Sequence, residues 1–308
     1  MAPEQERLAK IGTNLKRRAQ IYDLAREFFR GRGFLEVETP ARVPVIAPEI
    51  NIVPEESSDW YLITSPELHM KRLLAAGYPL IFQISHCFRK GEHGRLHNPE
   101  FSLLEWYRAN AGFPEVIADT EQLVTSLAGM LGPGKSIIYQ GTSIDLSLPW
   151  PRLSVRDAFI KSAGWDPVAS YDSECFDHDL ATLVLPNLET ARPTVLVEYP
   201  AAAASLARLK PGDPSVAERS EVFIGGLELA NAYSELTDPG EQKKRFAMEI
   251  EQIEREQGRK MKMPESFIEA VGSMPRSGGI ALGMERLVML LCDAGSIDEV
   301  TAFTVEHI

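Results

Sequence analysis

The segment FRKGEHGRLHNPEFSLLEWYR, residues 88–108, gathers side chains suited to holding an anion beside an amine. It reads as strand, long polar loop, strand, with Arg89 at the end of the first strand and Glu105 and Tyr107 alternating along the second. An arginine at a strand end presents a planar fork of donors that fits a phosphate. The two-residue strand period puts Phe101, Leu103, Glu105 and Tyr107 on one face. An aromatic ring, a carboxylate, a phenol and an arginine then converge on one surface. An ordinary surface hairpin also has an amphipathic strand, but it does not put Glu and Tyr on the face of Phe and Leu.

A second acidic group lies in RSEVFIGGLELANAYSELTD, residues 219–238, where Glu221, Glu228 and Glu235 recur at a spacing of seven. Gly225-Gly226 between β-prone runs signals a two-residue hairpin turn. With Ile224 opposite Leu227, Phe223 pairs with Glu228, and Glu221 is its diagonal neighbour on that face. Two carboxylates so placed repel unless a cation sits between them. Mg²⁺ takes such oxygen ligands together with nucleotide phosphates. A regular strand points Glu235 to the other face, so a bulge or strand end near Ala232 is needed to turn it inward. A helical stripe of glutamates is the poorer alternative, given the glycines and β-branched residues.

Two further stretches carry chemistry. SGGIALGMERLVMLLCDAG, residues 277–295, reads as a glycine-rich strand followed by Arg286 at the start of an apolar helix, and both the arginine and the helix N-terminus favour anions. Ser65-Pro66-Glu67 reads as a helix start: Ser at the N-cap, Pro in the first turn, Glu at the positive end of the dipole. That pattern alone is common.

These groups need elements to position them. At 308 residues, 44% hydrophobic and 25% charged, the chain can bury a sizeable core. Apolar positions Leu15, Ala19, Tyr22, Leu24 and Phe28 predict a helix over 14–30, ended by Gly31 and Gly33 and followed by a short strand, FLEVETP. Residues 113–131 predict another helix, ended by Gly132-Pro133-Gly134. From about 135 to 215 the signal weakens, apart from a capping box at Ser154–Asp157 and a buried strand over 193–200. The basic run Lys16-Arg17-Arg18 reads as a solvated helix end. No apolar run is long enough for a membrane span, and a cytoplasmic protein is expected. Cys87, Cys175 and Cys292 are isolated, which argues against disulfides or a zinc site. A net charge of −12 argues against nucleic acid as a partner.

The run FRKGEHGRLHNPEFSLLEWY resembles motif 2 of the class II aminoacyl-tRNA synthetases in its lysyl form. The first helix with its strand and proline resembles motif 1, and GIALGMERLVMLL resembles motif 3. The narrower resemblance, carried by SPELHMKRLL, LHNPEFSLLEWYR and ELANAYSELTD, is to the elongation factor P–(R)-β-lysine ligase family. Motif 1 begins about thirty residues from the start, so the expectation is a single catalytic domain over 1–308, without an N-terminal OB-fold domain, and with 135–215 as an insertion between motifs 2 and 3. The implied fold class is α+β: an antiparallel sheet flanked by helices, paired as a homodimer through motif 1.

The resemblance implies a ligase that uses ATP and Mg²⁺ to activate (R)-β-lysine or lysine as an adenylate and passes it to a lysine of elongation factor P. Adenine would lie between Phe101 and Arg286, and Arg89 would hold the α-phosphate. His97, Asn98, Leu229 and Gly283 would help fix the nucleotide, and Glu221 and Glu228 would carry Mg²⁺. Ser65, Pro66, Glu67, Glu105, Tyr107, Glu235 and Ala281 would form the amino-acid pocket. Ala281 stands where lysyl-tRNA synthetases have glycine, and one methyl in a pocket wall can change which isomer fits. The chain departs from the family at Arg89-Lys90-Gly91: the expected glutamate at 91 is absent or replaced by Glu92. Adenylation is mainly positioning and charge stabilisation, so no dedicated base is required for it. A minimal tRNA-charging enzyme and a non-catalytic paralogue are the alternatives.

Overall fold

Strands form where apolar side chains alternate with polar or small ones, and each such strand has one face for a core and one for something else. The computed structural model describes residues 3–132 and 134–308; Met1, Ala2 and Pro133, part of the expected helix stop at 132–134, lie outside the described residues. The central sheet uses β1 (Leu35–Glu36), β2 (Leu80–Phe88), β3 (Glu100–Ala109), β4 (Arg152–Ser154), β5 (Thr194–Pro200), β6 (Asp213–Ile224), β7 (Leu227–Ser234) and β8 (Ser277–Gly283). Their spatial order is β1-β2-β3-β8-β7-β6-β5-β4, with a short ninth strand, Leu209–Lys210, beside β6. The pairs are antiparallel except at the two edges, β1 with β2 and β4 with β5. This is an α+β architecture, a mostly antiparallel sheet flanked by helices.

One face of the sheet is apolar and covered. Phe82, Leu104, Trp106, Val222, Ala230, Ala232, Ile280 and Leu282 point to a core shared with three helices, α1 (Gly12–Arg30), α3 (Phe113–Leu131) and α5 (Met284–Cys292). Phe29 of α1 stacks on Phe82, ring centroids 5.0 Å apart, and lies 4.9 Å from Trp106. Two further helices, α2 (Glu67–Ala75) and α4 (Pro239–Gln257), lie outside that core.

The helix α1 buries Ile21, Ala25, Phe28 and Phe29, whereas the expected Ala19 is exposed. Insertion of Phe29 between the sheet aromatics sets the rotation of the stripe. The basic run is not a solvated end. Arg17 donates to the carbonyls of Leu131 and Leu291, in the last turns of α3 and α5, and Arg18 pairs with Glu285 at 2.6 Å. Helix C-termini leave carbonyls without intrahelical partners, and Arg17 supplies donors to two of them.

The stretch 135–215 is more integrated than an insertion implies, since β4 and β5 extend the central sheet. Between them lies a lobe with its own core, in which Phe159 stacks on Phe176 with centroids 4.8 Å apart. The N-cap half of the expected capping box forms: Ser154 Oγ accepts from the Asp157 N–H at 3.0 Å, opening the helix Val155–Ser162.

Candidate active site

The second face of the sheet is the floor of a cavity of about 910 Å³. Phe101, Leu103, Glu105 and Tyr107 of β3 line it, as their shared strand face predicts. From β8 come Gly279, Ala281 and Gly283, with Ala281 paired between Glu105 on one side and Asn231 on the other. The walls are α2, α4, the loop Pro48–Ile52 and the turn Ala201–Leu206.

The hairpin β6–β7 has the expected turn. Gly225 and Gly226 both have positive φ, 58° and 80°, and Ile224 faces Leu227. The irregularity that turns Glu235 inward lies at Leu229, three residues before the expected Ala232: Phe223 pairs with Glu228, but Val222 pairs with Ala230. One extra residue restores the parity. Glu228, Asn231, Tyr233 and Glu235 all line the cavity, while Ala230 and Ala232 join the helix-side core.

At the closed end, charges are paired and buried. Lys71 of α2 lies 2.5 Å from Glu67 Oε1 and 2.5 Å from Glu235 Oε2, and the Lys71 and Glu235 side chains are 2% and 1% exposed. The Lys71–Glu235 contact is an ion pair without hydrogen-bond alignment: neither Glu235 oxygen receives an aligned donor among the described residues. Ser65 Oγ accepts from the Glu67 N–H at 3.0 Å and donates to Glu105 Oε1 at 2.6 Å, although the N-cap of α2 is Pro66 and not the expected Ser65. Tyr107 OH donates to Glu105 Oε2 at 2.9 Å. Burial, reinforced by Glu67, pushes the Glu105 carboxyl up to about 8. Burial raises Glu235 to about 7, with Lys71 opposing the shift. Pro66, just before α2, is not part of the cavity lining. Gly279 is required here, because a Cβ would come within 2.1 Å of Glu235 Oε1 and 2.3 Å of the Tyr107 ring.

The other end is more open. Arg89 follows β2, with its guanidinium 5.0 Å from the Phe101 ring centre and its Nη1 3.5 Å from Glu92 Oε1. Arg286, in the first turn of α5, donates to the Glu228 carbonyl at 2.8 Å, lies 3.4 Å from its carboxylate, and donates to His97 Nε2 at 2.8 Å. Burial and the adjacent Arg286 lower the His97 pKa, which favours the neutral, accepting imidazole. Here Arg89, not Arg286, rests against Phe101. Gly91 has φ +79°, a left-handed turn that favours glycine, and Glu92 is the acid beside Arg89.

Two expected roles are altered by the contacts. Asn98 lines the cavity, but its amide donates to the Glu100 carbonyl at 2.6 Å and accepts from the Val305 N–H at 2.9 Å, so it fixes the loop and the C-terminal segment. Glu221 is not in the cavity lining. Arg219 neutralises it at 2.7 Å, its cross-strand partner is Asn231, and the bulge separates it from Glu228 in register. No group of three or more potential metal-ligating His, Cys, Asp or Glu side chains occurs among the described residues.

The sequence reasoning missed Lys71, Arg219, Asn231 and Gly279. Lys71 stands four residues after Glu67, a spacing that places both on one helix face. Arg219 and Glu221 are two apart on a strand, hence on one face. Nothing local marks Asn231 or Gly279.

A profile described as tRNA synthetases class II (D, K and N) matches residues 5–307. Similar proteins include two named elongation factor P–(R)-β-lysine ligase: one from Haemophilus influenzae strain PittGG, 36% identical over 96% of this chain and 95% of its own, and one from Salmonella gallinarum, 37% identical over 96% and 95%. A lysine–tRNA ligase from Dehalococcoides mccartyi is 34% identical over 93% of this chain, which spans 63% of that relative's length.

Proposed function

Because this chain belongs to the class II tRNA synthetases of the D, K and N group, we propose that it is an ATP-dependent ligase that activates (R)-β-lysine or lysine and transfers it to a lysine side chain of elongation factor P. One observation carries the choice of substrate. Three carboxylates, Glu67, Glu105 and Glu235, face one internal cation, Lys71, and that imbalance suits an amino acid with two ammonium groups. Buried acids whose pKa values are raised by burial gain most from a cation placed among them.

ATP fits the open end. Arg89 and Arg286 are held there by contacts that a phosphate can replace, Phe101 offers a ring face, and neutral His97 offers an acceptor. Glu228 reaches the cavity and suits a Mg²⁺ ion carried by the phosphates, since that ion needs only one or two carboxylates from the protein. Bound Mg²⁺ would offset phosphate charge. Arg89 would hold the α-phosphate while the substrate carboxylate attacks phosphorus, forming the adenylate and releasing pyrophosphate. Fixed donors aimed at developing charge are the main source of such acceleration.

The test is the intact mass of elongation factor P after incubation with this protein, ATP, Mg²⁺ and each lysine isomer. The expected result is gain of one lysyl group, larger with the β-isomer. Absence of any gain, with charging of total tRNA instead, would establish the second reading, a minimal lysyl-tRNA synthetase. The lysine–tRNA ligase relatives are what supports that reading, but this chain spans only 63% of the length of the one from Dehalococcoides mccartyi. The net charge of −12 weighs against it, because tRNA affinity rests on phosphate neutralisation.

A further inference from the structure

Adenylation needs no base, but transfer to a lysine does. At neutral pH an acceptor lysine is an ammonium, its ordinary pKa being about 10.4, and must lose a proton before it can attack. A residue that meets the acceptor must therefore line the cavity and be free of an internal partner. The acids of the two described ends are engaged: Glu67 and Glu235 with Lys71, Glu105 with Ser65 and Tyr107, Glu92 with Arg89, Glu228 with Arg286. Glu49 and Asp177 are different: both line the cavity with carboxylates that make no hydrogen bond or ion pair among the described residues, but only Glu49 is acted on by both Arg89 and Glu67.

The loop that carries Glu49 is tied down on both sides. The Ile50 N–H donates to Glu249 Oε2 at 3.1 Å, Gln257 donates to the Ile50 carbonyl at 2.7 Å, and the Lys90 N–H donates to the Val53 carbonyl at 2.7 Å. These contacts join it to α4 and to the loop after Arg89. The charged groups acting on Glu49 are Glu67 from α2, Arg89 after β2, Glu249 from α4 and Arg219 from β6. It thus shares the cavity with, and feels the charge of, both the arginine proposed to hold the α-phosphate and the acid proposed to hold the substrate amine. The cavity wall beyond it carries Glu241, Arg245 and Glu249 of α4, with Lys244 exposed there, and Arg245 is committed to Glu241 and to the Ser205 and Ala207 carbonyls.

We propose that Glu49 is the base of the transfer step, receiving the acceptor lysine on the α4 side of the cavity and removing its proton. This rests on the ligase reading above. The acceptor ammonium gives one proton to the Glu49 carboxylate. The freed amine attacks the adenylate carbonyl carbon, a C–N bond forms, the carbonyl C–O bond to phosphate breaks, and AMP leaves with the electron pair. The second proton on nitrogen goes to the departing phosphate. Burial and Glu67 hold the Glu49 carboxyl at about 7, suited to gaining and losing a proton at neutral pH.

The test uses full-length protein with preformed adenylate under single-turnover conditions, comparing two nucleophiles: elongation factor P, whose lysine must be deprotonated, and hydroxylamine, which is uncharged at neutral pH. Glu49→Gln is expected to lower transfer to elongation factor P about a hundredfold relative to hydroxamate formation by the same variant. Glu49→Asp should restore part of that ratio. Wild-type transfer should rise with pH through about 7, and Glu49→Gln should lose that limb. An unchanged ratio in Glu49→Gln, or an equal fall with both nucleophiles, would overturn the role. A wild-type protein that makes the hydroxamate but leaves elongation factor P unmodified would overturn the acceptor reading itself, and the Glu49 role with it.

Discussion

The two ends of the cavity are built on different principles. At the amine end, Lys71 sits 2.5 Å from each of two carboxylates and is almost wholly buried, and a glycine at 279 lets Tyr107 and Glu235 close over the sheet. At the nucleotide end the arginines lie 3.4 to 3.5 Å from partly exposed acids. The first set is fixed before any ligand arrives and, on the proposed reading, would select by charge. The second is held by contacts weak enough to exchange for phosphate, because exposed ion pairs contribute at most about 1 kcal/mol. Selection and reaction would thereby be separated along one sheet.

The largest expected effect breaks the amine end. Lys71→Met leaves the buried Glu235, and the partly buried Glu67, without their cation, and removing one partner of a buried pair costs about 3–5 kcal/mol. Chemical denaturation should show a loss of that order; a loss within about 1 kcal/mol would mean that the two ends do not differ in this way. Arg89→Ala should leave stability nearly unchanged but lower pyrophosphate exchange about a hundredfold to a thousandfold, as for removal of one fixed donor. Near-normal exchange in that variant would remove Arg89 from the reaction.

Ala281 tests the floor between the ends. Its methyl lies between Glu105 and Asn231, so Ala281→Gly should shift preference towards α-lysine by tenfold or more in the ratio of kcat/KM values, one methyl being worth about 1–3 kcal/mol. An equal fall with both isomers would show only a loosened strand. A smaller effect comes from pH. Glu105 near 8 and Glu235 near 7 hold protons in the folded, ligand-free protein that the unfolded chain gives up nearer 4.5. Stability of the ligand-free protein should therefore fall as pH rises between those values, while KM for the amino acid falls, by at most about tenfold per pH unit for each acid that must ionise. A KM that is flat from pH 6 to about 8.5 would contradict the burial of these acids.

Much of this was legible from sequence wherever a local rule decides the conformation. Gly225-Gly226 demanded a turn with two positive φ angles, and alternation alone placed Phe101, Leu103, Glu105 and Tyr107 on one face. The need for an irregularity before Glu235 was legible from parity, but its position at Leu229 was not, because one inserted residue leaves no composition mark. The same holds for Lys71, whose second partner lies far along the chain at Glu235, and for Gly279, whose need for no side chain arises from Tyr107 and Glu235. Arg17 and Arg18 looked like solvated charge because their acceptors are carbonyls and an acid more than a hundred residues away.

The most direct test of the account is pyrophosphate exchange with lysine, β-lysine and norleucine, the last matching lysine's carbon chain but lacking its side-chain ammonium. Three acids opposed by one internal cation predict strong exchange with both lysine isomers and almost none with norleucine. Comparable exchange with norleucine would show that the buried acids serve the fold alone and that the amine end does not choose the substrate.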